Sequence, residues 1–155
     1  IFVILLGAEF FNSFIALTRI TNELADTVIH FQLSPFVVVA IILIVYFILG
    51  CLMDSLAMIL LTIPVFFPIL IQLDFGMPIE EVGIWFGILT LIVVEVGLIT
   101  PPVGLNVFII NKLAGDVPMS ETFFGVIPFL ISDILRVVFL FCFPGVTLFL
   151  VKLLW

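Results

Sequence analysis

Between Pro35 and Leu73 the chain is almost wholly apolar (PFVVVAIILIVYFILGCLMDSLAMILLTIPVFFPILIQL). As one α-helix at 1.5 Å per residue this run would be about 58 Å long. The hydrocarbon core of a bilayer is only about 30 Å thick. One straight span is therefore excluded, and the run must fold back. Its polar punctuation falls near the middle, at Gly50 to Ser55 (GCLMDS), so the sequence predicts two helical arms meeting at that tip. Pro35 suits the first turn of the first arm. Pro64 and Pro68 predict a bend in the second.

The composition says which solvent surrounds such a hairpin. Hydrophobic residues make up 65% of the 155 and charged residues 10%, with four Lys or Arg and a mean hydropathy of +1.58. Soluble domains are about half apolar and about a quarter charged. Long unbroken apolar runs, rather than short alternating segments, predict membrane helices and not a β-barrel. The fold class is all-α integral membrane. A net charge of −7 argues against nucleic-acid binding. Cys51 and Cys142 have no metal-binding spacing and read as packed apolar thiols. The chain opens on Ile1 with no charged leader, so it reads as a piece of a longer protein without a signal peptide.

Four segments follow. Residues 1–34 comprise a first span, Ile1 to Thr18, and a short interfacial helix over Thr21 to Gln32 (TNELADTVIHFQ), with Thr21 as its cap and Leu24 and Val28 starting its apolar face. Residues 35–75 are the hairpin. Residues 76–113 hold a helix opened by Pro78, with Glu80 and Glu81 favouring its N-terminus. Residues 114–155 are read as a short interfacial helix, Ser120 to Phe124 with Ser120 as cap, and a last span from Gly125 to Trp155. Arg19 and Lys152 would share one side and Lys112 the other, which sets no orientation.

The third segment contains EVGLITPPVGLN, Glu95 to Asn106. Two adjacent prolines, Pro101 and Pro102, break an otherwise membrane-grade helix, with Gly97 before them and Gly104 after. Proline in a helix interior removes a hydrogen bond and costs about 3 kcal/mol. In lipid each unpaired main-chain group costs several kcal/mol more, so the freed carbonyls must face protein, water or a cation. Broken membrane helices make ion and substrate sites in this way: carbonyl ends attract cations and amide ends attract anions. Thr100 and Asn106 add side-chain oxygens, the ligand type a hard cation prefers. The bland alternative is a plain kink.

Asp54 stands between two charge-free apolar runs, where an ionisable group is a functional candidate. Ser55 adds an oxygen, and Gly50 permits a tight turn. The alternative is a loop residue reaching a water surface. Glu95, about one turn before the break, either supports it, carries a proton or is hydrogen-bonded inside the bundle. Asp133 and Arg136, three apart on one helix, read as a local ion pair. Glu9 and Asn12 read as packing residues, and His30 as structural or surface.

GCLMDSLAMILLTIPVFFPIL followed by FGILTLIVVEVGLITPPVGLNVFIINKLAG resembles the C-terminal half of the large membrane permease subunit of TRAP transporters, the tripartite ATP-independent periplasmic family. The order of elements agrees: interfacial helix, hairpin with a G-x-x-x-D tip, T-P-P-V-G-L-N break, and a last span with P-F-L at Pro128 to Leu130. The resemblance implies half of an inverted-repeat elevator carrier in the bacterial inner membrane, multi-pass, with a re-entrant hairpin and a discontinuous helix. It implies sodium-coupled uptake of a small organic acid delivered by a periplasmic binding protein, beside a small membrane subunit. On this mapping Gly50, Asp54, Ser55, Gly97, Thr100, Pro101, Pro102, Gly104 and Asn106 hold sodium and substrate, with Glu95 supporting. Na+ would be the coupling ion, held by Asp54, Thr100, Asn106 and main-chain carbonyls, with no organic cofactor.

Rival readings are another ion-coupled carrier of related design, such as a dicarboxylate or arsenite permease, and a passive assembly subunit. An intramembrane aspartyl protease needs two facing aspartates, and Arg136 already offers Asp133 a partner. A zinc protease needs paired histidines, and His30 is the only one. The chain does not read as an enzyme.

Overall fold

The computed structural model describes residues 2–154, and every regular element among them is an α-helix. Ile1 and Trp155, the outer ends of the first and last expected spans, lie outside the described residues. The helices are α1 (Phe2–Thr18), α2 (Ile20–His30), α3 (Pro35–Gly50), α4 (Ser55–Leu70), α5 (Ile79–Ile99), α6 (Leu105–Ala114), α7 (Met119–Cys142) and α8 (Pro144–Leu154). By length and composition α5 and α7 can each cross a membrane, and α1 with α2 forms a pair bent by 57°. The hairpin arms α3 and α4 have 16 residues each, about 24 Å at 1.5 Å per residue.

The helices divide into two compact units. The first contains the chain up to Ile42 and Leu56–Gly83. Within it the α1–α2 junction turns at Arg19, which adopts a left-handed conformation (φ 56°). Thr21 is therefore not the cap of α2: Arg19 holds that position and Thr21 is buried within the first turn. The buried face of α2 runs through Thr21 and Ala25, while Leu24 is exposed. Small side chains let a helix approach its neighbour closely, which is why they, and not Leu24, face inward. The ring of Phe67 packs against Gly83, and Phe36 meets Phe75 edge to face with ring centres 5.9 Å apart.

The second unit contains Leu43–Ser55 and the chain from Ile84 onward. Its core holds Tyr46, Trp85, Phe86, Leu89 and Val94, all essentially inaccessible, with Tyr46 and Phe86 in edge contact. The separate Ser120–Phe124 helix does not form. Those residues belong to the continuous α7, which starts at Met119 directly after Pro118. Pro118 fixes a non-helical entry (φ −58°, ψ 138°), and the helix then runs through Pro128 as far as Cys142. The last span is correspondingly split: Phe143 ends α7 and Pro144 opens α8, the first-turn position that suits proline. Cys51 is buried but Cys142 is exposed, so only the first is a packed thiol.

Prolines inside or between these helices, among them Pro64, Pro68, Pro102, Pro128 and Pro144, each leave a carbonyl four residues earlier without its amide partner. Two of these carbonyls are met by a side-chain donor. Asn12 Nδ2 donates to the carbonyl of Leu60, four before Pro64, at 3.4 Å. Trp85 Nε1 donates to the carbonyl of Leu140, four before Pro144, at 3.0 Å. Those four before Pro68, Pro102 and Pro128 meet no side-chain donor among the described residues.

Candidate functional site

The hairpin tip and the end of α5 meet through their two glycines. A Cβ placed on Gly97 would lie 2.8 Å from both Cα and the carbonyl carbon of Gly50. A Cβ on Gly50 would lie 3.2 Å from the carbonyl oxygen of Val94 and 3.3 Å from Cα of Gly97. Main chain rests on main chain here: a side chain at position 97 would force the backbone apart, and one at position 50 would be tightly held. Gly50 is the last residue of α3, and Gly97 lies in the last turn of α5. Two helix C-termini, each carrying roughly half a negative charge, are thus brought together.

Beyond Gly97 the chain leaves the helix. Thr100 N–H donates to the Gly97 carbonyl at 3.1 Å, a tightened last turn. The Thr100 hydroxyl donates back to the Val96 carbonyl at 2.6 Å, and the residue is buried. Pro101 and Pro102, joined by a cis peptide, supply no N–H. Among the described residues no donor reaches the carbonyls of Leu98 or Ile99, while residues 101–103 form a turn that closes on Thr100. Leu98 and Thr100 are themselves buried. The Leu98 and Ile99 oxygens are left unpaired at the break, whereas a side chain meets those of Leu60 and Leu140.

The chain re-enters a helix at Gly104, which takes a left-handed conformation (φ 53°, ψ 60°) as N-cap of α6. The first amide bonded in α6 is that of Phe108, to the Gly104 carbonyl at 2.9 Å. The N–H groups of Leu105, Asn106 and Val107 lie in the open first turn of a helix, which favours negative charge. Asn106, half-buried, makes no side-chain hydrogen bond among the described residues. The break thus sets a carbonyl end and an amide end within a few residues of each other.

Asp54 directly precedes α4, the capping position where a carboxylate is favoured. It is exposed, while Ser55, the first residue of α4, is half-buried. Pro101 and Pro102 are exposed. Glu95 is also exposed and makes no hydrogen bond among the described residues, so it is not tied inside the bundle. The Asp133–Arg136 pair forms at 2.9 Å. His30 ends α2 with its ring against Phe31. Among the described residues no three His, Cys, Asp or Glu side chains cluster as a metal site.

Sequence reasoning missed Trp85, Asn111 and Thr90, and read Asn12 as a packing residue only. Trp85 and Asn12 cap proline-freed carbonyls, a role signalled by a proline four residues beyond an apolar carbonyl. Asn111 ties α6 to the next helix, donating to the Val117 carbonyl and the Thr122 hydroxyl, both at 2.8 Å. Thr90 is buried with its hydroxyl unpartnered among the described residues, and nothing in its sequence surroundings marks it.

Residues 1–146 match the family described as Tripartite ATP-independent periplasmic transporter, DctM component. The chain is 29% identical over 98% of its length to a sialic acid TRAP transporter permease protein of Haemophilus influenzae. It is 32% identical over 94% of its length to a C4-dicarboxylate TRAP transporter large permease protein of Pseudomonas aeruginosa. It is 26% identical over 97% of its length to a sialic acid TRAP transporter large permease protein of Vibrio cholerae. It covers 24%, 32% and 34% of these relatives' own lengths. No solved structure matches it. The tip, the break and these relatives agree, and the chain belongs to the DctM component family of tripartite ATP-independent periplasmic transporters.

Proposed function

We propose that this chain is the part of a TRAP permease subunit that binds the coupling ion during uptake of a small organic acid. The ion is sodium. It is held by the carbonyls of Leu98 and Ile99, with oxygens from Asp54, the Thr100 hydroxyl and Asn106 completing its shell. The acid arrives from a periplasmic binding protein, the subunit works beside a small membrane subunit, and the setting is the bacterial inner membrane. Gly50, Ser55, Gly97, Pro101, Pro102 and Gly104 shape the site.

One observation carries this reading. At the break two adjacent prolines leave the carbonyls of Leu98 and Ile99 without a donor among the described residues. An unpaired carbonyl in an apolar setting costs several kcal/mol, and a hard cation removes that cost by accepting oxygen ligands. The convergence of the α3 and α5 C-termini at Gly50 and Gly97 adds negative potential at the same place. Arms of about 24 Å fall short of a core of about 30 Å, which supports a re-entrant hairpin with its tip inside the membrane. The amide end of α6 favours an anion, as the carboxylate of an organic acid requires. The named relatives carry sialic acid and C4-dicarboxylates, which share that group.

The test uses the full-length permease with its small subunit and binding protein in proteoliposomes. Radiolabelled sialic acid and a C4-dicarboxylate are offered with and without a sodium gradient. Asp54→Ala and Asn106→Ala are each expected to lower sodium-driven uptake at least about tenfold, the loss of one good ligand at roughly 1.4 kcal/mol or more. Wild-type uptake with unchanged sodium dependence in both variants removes the assignment.

A further inference from the structure

We infer that Phe123 of α7 is a positioning residue for the break, an inference that rests on the ion-binding reading above. Gly104 is buried and left-handed. A Cβ there would lie 2.9 and 3.1 Å from Cε1 and Cζ of Phe123, and 3.4 Å from the carbonyl oxygen of Thr100. The ring therefore occupies the space that a side chain at position 104 would fill. It is seated on the main chain beside the Thr100 carbonyl. Its electropositive edge suits a neighbourhood of carbonyl oxygen.

The next residue back along α7 supplies a second grip. The Thr122 hydroxyl accepts from Asn111 Nδ2 at 2.8 Å, and the same amide donates to the Val117 carbonyl at 2.8 Å. Adjacent residues of α7 thus hold α6 at two places, Phe123 ahead of its first turn and Thr122 near its last. Between them lie Asn106 and the open amides of α6. Rotating or sliding α6 would carry Asn106 away from Thr100, and the two grips oppose both motions. An apolar hollow of about 170 Å³ adjoins the ring, lined among others by Ile99, Pro101, Ile127 and Leu130.

Binding of sodium to the detergent-solubilised full-length permease tests this, by calorimetric titration with sodium chloride and choline chloride as the control. Phe123→Ala is expected to raise half-saturating sodium roughly three- to tenfold, the size of one lost aromatic contact. Phe123→Leu, which keeps apolar bulk over Gly104, is expected to restore it to within about twofold. Thr122→Val keeps the fold's volume, removes the second grip and is expected to shift sodium binding in the same direction, so the test survives if Phe123→Ala fails to fold. Hydrogen exchange over residues 104–110 is expected to quicken in Phe123→Ala and recover in Phe123→Leu. Unchanged half-saturation and exchange in these variants overturn the proposal, as does a loss of binding capacity at unchanged affinity. A wild-type permease that binds no sodium rejects the ion reading alone. Exchange then decides Phe123: faster opening upholds the clamp and unchanged opening overturns it.

Discussion

At the scale of single residues, the site depends on what two glycines lack. Gly50 and Gly97 stand far apart in sequence, and each is readable there as a turn or break residue. Their direct contact is not readable, because nothing local to either one names the other. A Cβ at position 97 would sit 2.8 Å from the main chain of Gly50, closer than side-chain carbons approach backbone. Gly97→Ala is therefore expected to destabilise the full-length permease by about 1–3 kcal/mol, as overpacking does, and to weaken sodium-driven uptake with it. Thermal unfolding in detergent measures the first and proteoliposome uptake the second. A variant with wild-type melting and uptake would show that the contact does not persist in the working protein. The Asp133–Arg136 pair lies at the other extreme. Its spacing alone predicted it, because residues three apart on a helix are neighbours whatever surrounds them.

At the scale of elements, prolines explain more than bends. Each one within a helix frees a carbonyl, and at Pro64 and Pro144 a side chain from a distant segment meets it. Trp85 is wholly buried and bonds the Leu140 carbonyl at 3.0 Å, whereas Asn12 is half-buried and reaches the Leu60 carbonyl at 3.4 Å. The shorter, drier bond should matter more. Trp85→Phe is expected to cost about 1–3 kcal/mol, the penalty for a buried carbonyl left unmet, and Asn12→Ala distinctly less. Melting temperatures of the two full-length variants check the order. A larger loss for Asn12→Ala would mean that its unpartnered Oδ1 has a partner in the assembled protein. Element boundaries were the least legible part. Ser120 carries a good capping side chain yet sits inside α7, because Pro118 sets the helix start just ahead of it. Thr21 likewise lost the capping position to Arg19, where a left-handed residue turns the chain directly from α1 into α2.

At the scale of the molecule, apolar exposure is the dominant fact. α7 has 24 residues and none is buried, and Phe124, Phe129 and Leu135 are each about two-thirds exposed or more. Such surfaces are tolerated in lipid or against protein and not in water. Expressed in bacteria, the chain is expected to stay with the membrane pellet through an alkaline carbonate wash, followed by immunoblot. Release into the supernatant would contradict the assignment of α5 and α7 as spans. The chain covers about a third or less of the lengths of the named relatives, which accounts for faces that a complete permease would cover.

Composition and the spacing of breakers by themselves determined the membrane setting, the all-helical class, the hairpin tip and the broken helix. These follow from local physics: apolar length against bilayer thickness, and proline against the helical hydrogen bond. Tertiary structure alone decided that Gly50 lies on Gly97, that Trp85 and Asn12 cap distant carbonyls, that Glu95 stays exposed, and that Phe123 seats on Gly104. Each of these depends on the approach of segments far apart in the chain, a distance that no run of neighbouring residues encodes.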